Sequence, residues 1–245
     1  MPELRDFTEF WVYLSASPLL GLTMTLCAYL AAQRITAFFK GAPLANPVAI
    51  AIALVAGVLW MSGMSYQRYF SGAQFVHFLL GPATVALALP LVRQLPRLRR
   101  AFVPLAFALV LGSVTAIVSS VAIALLLDAT PQLAATLGPK SATSPIAMAV
   151  SESLGGIPAL TAALVIGTGI FGAIAGPWLF DRLQIASPAA RGFALGLAAH
   201  GIGTARAFNS SAEMGAFAGL AMGLNGALTA LIAPVLVPAL LRWLA

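Results

Sequence analysis

Two stretches hold the residues whose types and spacing could do chemistry. The first reads Gly138-Pro-Lys140-Ser141-Ala-Thr143-Ser144-Pro145 and continues through Glu152 to Gly155-Gly156-Ile-Pro158. Pro145 suits the first turn of a helix, and Ser141, Thr143 and Ser144 can cap its amides. The spacing therefore predicts a helix that starts here and breaks at Gly155-Gly156. The exposed amides and dipole of such an N-terminus favour a carboxylate or phosphate, and Lys140 adds a full positive charge at the same end. The alternative is an ordinary loop with Lys140 facing lipid headgroups. Glu152 follows Pro145 by about two turns and so shares nearly the same face. Buried there, its ionised form would be costly and it could carry a proton; it could equally end the helix in interfacial water.

The second stretch reads Arg191-Gly-Phe-Ala-Leu-Gly196-Leu-Ala-Ala-His200-Gly-Ile-Gly203-Thr204-Ala-Arg206. Gly196, Gly201 and Gly203 flank His200, so another backbone or a ligand can come close to it. A lone histidine is usually structural, but an ionisable residue inside an apolar run is by default a functional candidate. Arg206 can pair bidentately with a carboxylate, or can sit at the interface as a topogenic charge. Asn225 and Thr229 stand one turn apart in the last apolar run and could line a path or lock helices together, the second being the better fit. Glu152 and His200 are the proton-coupling candidates. The substrate-binding set is Lys140, Ser141, Thr143, Ser144, His200, Thr204, Arg206 and Asn225.

Catalytic templates fit poorly. Gly201-Ile-Gly203 completes no dinucleotide fingerprint, and no phosphate-binding Walker sequence is present. Ser141, His200 and Glu152 make an arbitrary nucleophile set without a nucleophile elbow. His77 and His200, with no spaced carboxylates, argue poorly for a metal. The expectation is a protein that is not an enzyme and uses no cofactor or metal.

The elements that must position these residues are set by composition. Of 245 residues, 60% are apolar and 8% charged, and the mean hydropathy is +0.97. A soluble domain carries roughly a quarter charged residues. The fold class expected is therefore an all-α, polytopic transmembrane bundle forming one integral membrane domain over 1–245. Apolar runs stand at about Phe10–Ala32, Ala45–Ser65, Phe75–Val92, Ala101–Leu127, Ile157–Phe180 and Met214–Leu241. The polar stretches 133–153 and 188–208 are long enough to cross as well, or to re-enter, which makes seven or eight segments. The lone Cys27 excludes an intrachain disulfide. Acidic residues before the first run (Glu3, Asp6, Glu9) argue for a retained helix rather than a cleaved signal.

The net charge of +6 does not point to nucleic acid, because the basic residues sit in short loops between apolar runs. Arg34 and Lys40 follow the first run, and Arg93, Arg97, Arg99 and Arg100 follow the third. The positive-inside rule puts these loops in the cytoplasm and the N-terminus outside. Asp181 with Arg182, and Arg206 with Glu213, leave the C-terminal half unassigned by charge. A weak repeat is also visible. Leu80-Gly-Pro recurs as Leu137-Gly-Pro, 57 residues on, and the same step carries Gly112 to Gly169 to Gly226 and Pro177 to Pro234. Three parallel units are suggested, each pairing an interrupted segment (near Gly81, Gly138 and Gly196) with a long span. Coincidence in a glycine-rich chain is the alternative. Repeats that meet around a central site are frequent in transporters.

Pro139-Lys-Ser-Ala-Thr-Ser-Pro-Ile-Ala-Met148, Glu152, Gly155-Gly-Ile-Pro-Ala-Leu-Thr161, Thr168-Gly169, Arg191-Gly-Phe-Ala-Leu-Gly196, His200, Gly203-Thr-Ala-Arg206 and Ala221-Met-Gly223 resemble the LrgB/CidB family of bacterial membrane proteins. The resemblance covers most of 75–241, whereas 1–70 matches in hydrophobic pattern only. Ala199 stands where a serine is expected and Gly201 where alanine is usual. The resemblance implies either a holin/antiholin-like modulator of murein hydrolase activity and lysis, or a carrier of small monocarboxylates of the pyruvate, lactate or glycolate class. It also implies a small LrgA/CidA-type membrane partner; a homo-oligomer is expected besides, and spans that are helices rather than a barrel suit the bacterial inner membrane. A cation, a helix N-terminus and titratable groups suit an anion carried with a proton, and the carrier is the main expectation.

Overall fold

The computed structural model describes residues 18–39, 45–79, 82, 85–86 and 92–244. Lys40, the interrupted segment expected near Gly81 and half of the third expected span lie outside them. The chain divides into two compact units, Met1–Ala86 and Leu87–Ala245.

In the first unit α1 (Pro18–Phe38), α2 (Pro47–Ser62) and α3 (Tyr66–Phe78) pack with α1 against the other two. Asn46 caps α2 by accepting from the amides of Val48 and Ala49, Pro47 opens its first turn, and Gly63 at φ 65° ends it. Gly21 lets α1 approach the backbone of α3 at Tyr69, and Thr25 hydrogen-bonds the Tyr69 hydroxyl at 2.7 Å.

The second unit contains α4 (Leu95–Arg100), α5 (Phe102–Leu126), α6 (Pro131–Leu137), α7 (Ser144–Ser153), α8 (Pro158–Arg182), α9 (Pro188–Ser210) and α10 (Ala212–Leu244). Among the described residues, α5, α8 and α10 are the helices long and apolar enough to cross a membrane. At 25 residues, α5 and α8 reach about 37 Å, more than a hydrocarbon core of about 30 Å. They match the last three expected spans. Of the seven or eight expected segments these three are matched by helices of crossing length, and the two polar stretches, which the sequence left between crossing and re-entry, fold back.

The contacts establish this fold-back. On the way in, α6 runs antiparallel to the second half of α5. Ala134 and Ala135 pack on Ala124, Ser120 Oγ donates to Leu137 O, and Gly138 lies against Val121 and Val237. The chain turns at 138–143 and α7 returns, so that Val150 rejoins the same cluster as Ala124 and Ala134. The second stretch behaves alike. A straight helix would set Leu195 and Ala207 about 18 Å apart, yet both pack with Phe180 and Met214. A Cβ on Gly203 would fall 2.5 Å from Leu195 O. The turn is His200, at φ 40° and ψ −129°.

The two hairpins enter from opposite ends. Hairpin 131–153 leaves from the end of α5 and returns to the start of α8, while hairpin 188–210 leaves from the end of α8 and returns to the start of α10. The 57-residue step is visible in three dimensions. Thr130-Pro131 caps the first hairpin as Ser187-Pro188 caps the second, each with its hydroxyl accepting an amide of the first turn. Consecutive repeats are inverted, which corrects the parallel arrangement expected from sequence. An interrupted segment that returns to its own side leaves one crossing per unit, an odd number.

Candidate functional site

Asn225, buried near the middle of α10, joins the two hairpin tips. Its Nδ2 donates to Ser141 O at 3.0 Å and to Leu197 O at 3.1 Å. Its Oδ1 accepts from Ser113 Oγ of α5 at 2.6 Å. Both N–H donors and the carbonyl are thus committed within the protein, so Asn225 acts by positioning the tips, in line with the locking role that its place in α10 suggested. Thr229, one turn on, is also buried.

At the first tip Thr143 takes the N-cap position of α7 with no side-chain hydrogen bond to the helix, and Pro145 stands in the first turn. The first-turn amides of Ser144 and Ile146 have no carbonyl one turn earlier within the helix to accept them. The expectation that Ser141, Thr143 or Ser144 would cap them is not met. Among the described residues, the hydroxyls of Ser141, Thr143 and Ser144 and the ammonium of Lys140 have no hydrogen-bond or ion-pair partner. Ser141 is buried; Lys140, Thr143 and Ser144 are half-buried. The tip packs Ala142 and Ala147 against Val165 of α8.

At the second tip the imidazole of His200 reaches α8, where Nε2 donates to Val165 O at 2.8 Å. Gly169 makes room for it: a Cβ there would lie 2.6 Å from His200 Cε1. Thr204 Oγ1 donates to His200 O at 2.7 Å and lies 3.9 Å from the Met222 sulfur. Both first- and second-tip residues therefore meet the same turn of α8, near Val165. Gly192 and Gly196 seat the incoming half of α9 on the backbone of α10 at Met214 and Ala218.

Two residues of the expected set lie away from this junction. Glu152 is exposed at the far end of α7 from the tip. Arg206 lies beside Ala207, which packs near the base of the second hairpin; it is half-buried, with its Nε buried and without a hydrogen-bond partner. A second polar knot escaped the sequence reading. Thr161 Oγ1 donates to Ser151 Oγ at 2.7 Å, and Ile157 N donates to Thr136 Oγ1 at 2.9 Å, tying the base of the first hairpin to α8. Ser113 was missed too, since its partner is 112 residues distant. Gly169 could have been found, because the 57-residue step singles it out.

The polarity of the junction follows from these bonds. Each hairpin brings to its tip both a carbonyl-rich helix end and an amide-rich helix start. Asn225 occupies one carbonyl from each tip, and Lys140 adds a basic side chain beside the first.

Comparison with known proteins gives the family. The LrgB-like family matches residues 25–239. An uncharacterized protein of Bacillus subtilis, YwbG, is 36% identical over 218 residues, covering 89% of this chain and 96% of its own. A Haemophilus influenzae protein is 35% identical over 77% of this chain and 82% of its own. The antiholin-like protein LrgB of Bacillus mycoides is 29% identical over 91% of this chain and 96% of its own. No solved structure matches. With a match that spans most of its length and these relatives, the chain is a helical membrane protein that belongs to the LrgB-like family.

Proposed function

We propose that this protein is a multi-pass carrier of small monocarboxylates in the bacterial inner membrane, binding its substrate between the two hairpin tips. One observation supports the reading: two hairpins from opposite ends meet at a junction whose side-chain groups without a partner, among the described residues, are the Lys140 ammonium and the hydroxyls of Ser141, Thr143 and Ser144. Lys140 would neutralise a carboxylate, and Ser141, Thr143 and Ser144 with the first-turn amides of α7 would hydrogen-bond it. Thr204 and the His200 backbone shape the opposite wall. His200 is the group nearest the junction that could bring a proton with the substrate. Opening one hairpin at a time would expose the site alternately to each side.

The fold also suggests an orientation. Arg99 and Arg100, before α5, share an end with Arg182, Arg191 and Arg206, five arginines against Asp181 and Glu213, while Asp128 and Glu152 lie at the other with Arg242. The basic end faces the cytoplasm on the positive-inside rule, extending to the C-terminal half what charge alone left open.

A second reading is favoured by the relatives' printed name. As an antiholin-like protein, the chain would modulate murein hydrolase activity and lysis together with a small LrgA/CidA-type partner, with no cargo of its own. The names carry this reading further than the first; the geometry carries the first further. Uptake of labelled pyruvate, lactate and glycolate into proteoliposomes, with and without a pH gradient, separates them. Saturable uptake that is lost in Lys140→Ala supports the carrier. Absence of uptake, with non-selective leakage once a small partner is added, supports the antiholin reading. Uptake unchanged in both Lys140→Ala and His200→Ala would remove the site from this junction.

A further inference from the structure

Among the described residues, the Asn225 amide is the one side chain that bonds both hairpin tips, and each partner is a backbone carbonyl that no substitution at its own position can delete. Ser113 fixes the orientation, because its hydroxyl donates to Oδ1 and so holds the two N–H groups facing the tips. The two carbonyls belong to hairpins that enter from opposite ends, so the same amide is a bond in the closure of both sides. Releasing Ser141 O frees only the first hairpin, and releasing Leu197 O frees only the second. While either tip is bonded, the amide stays seated on Ser113 and on that tip.

We propose that Asn225 is the shared latch of the two hairpins, coupling their closure so that they do not open together. It is a positioning residue, acting through the tips. The inference rests on the opposed hairpins and not on what is carried, so it stands or falls separately from the carrier reading.

The test uses accessibility rather than flux. The natural Cys27 is changed to serine, and a single cysteine is placed at Ser144 for the first tip or at Gly201 for the second, where a Cβ meets nothing closer than the Met222 sulfur at 3.9 Å. Membrane-impermeant maleimide is applied to sealed vesicles from each side. Asn225→Ala is expected to speed labelling of both reporters, about three- to ten-fold each for the loss of one hydrogen bond apiece. It is also expected to let protons leak across vesicles that the parent keeps tight. Ser113→Ala, which leaves the amide present but unoriented, should move both reporters in the same direction by less. Thr229→Val, a buried change one turn away on α10, should move neither. Acceleration at one reporter alone would make Asn225 a support for that hairpin and overturn the coupling, and so would no change at either. If Asn225→Ala elutes as aggregate in detergent, Ser113→Ala decides by the same criterion. Absence of substrate uptake by the parent protein, beside accelerated labelling of both reporters in Asn225→Ala, would sink the carrier reading and leave the latch standing.

Discussion

At His200 the backbone takes a positive φ that side chains with a Cβ rarely adopt, and the imidazole that accompanies it bonds the Val165 carbonyl. Such backbone positions cost of order 1–3 kcal/mol and persist where surrounding structure holds them. The two contributions can be separated. His200→Ala loses the ring bond and keeps the strain, whereas His200→Gly loses the ring bond and relieves the strain. His200→Gly should therefore be the more stable of the two by about 1 kcal/mol, read by thermal unfolding of the purified protein in detergent. The reverse order would show that the positive φ at 200 holds no strain for glycine to relieve. Much of the site was legible at this scale, since Lys140, Ser141, Thr143, Ser144 and His200 are all at the tips. What was not legible was the capping of the tips by Asn225, because its partners are two backbone carbonyls and a serine on another helix. Glu152 was left between two readings because helical phase gives the face of a residue but not its depth; α7 carries it out to the base, where it is exposed, as the helix-end reading had it.

The helices themselves were read well where hydropathy alone decides. The runs beginning at 101, 157 and 214 became α5, α8 and α10 within the usual uncertainty of helix ends. The polar stretches were harder, since a hydropathy count gives length without direction, and a break that reverses the chain looks the same in sequence as a kink. The packing of α9 on α10 provides a prediction at this scale. A Cβ on Gly196 would collide with the backbone at Ala218, and one on Gly192 with the backbone at Met214, so neither neighbour can yield by rotating a side chain. Gly196→Ala should lower stability by about 1–3 kcal/mol through overpacking. Gly223→Ala, with nothing within 4 Å of its added carbon, should be neutral or slightly stabilising. Thermal melts of the two variants beside the parent make the comparison, and equal melts would mean that α9 does not sit against α10 as described.

For the molecule as a whole, re-entry is a statement about sides. In a Cys27→Ser background, single cysteines at Asp128 and Gly155 should label from one side of a sealed vesicle, and those at Ser187 and Ser211 from the other. Labelling of Asp128 and Gly155 from opposite sides would convert the first hairpin into a crossing. The inversion of consecutive repeats carries a further consequence. A scaffold made of the same motif in both directions has no intrinsic top, so the bilayer reads its orientation from charges at the turns. Here those charges are few: arginines at 99, 100, 182, 191 and 206 with Asp181 and Glu213 at one end, and Asp128 and Glu152 with Arg242 at the other. Neutralising that basic rim and making the turn at 128 basic should yield the same fold inserted upside down, its two gates exchanging compartments while the chemistry at the junction stays as it was.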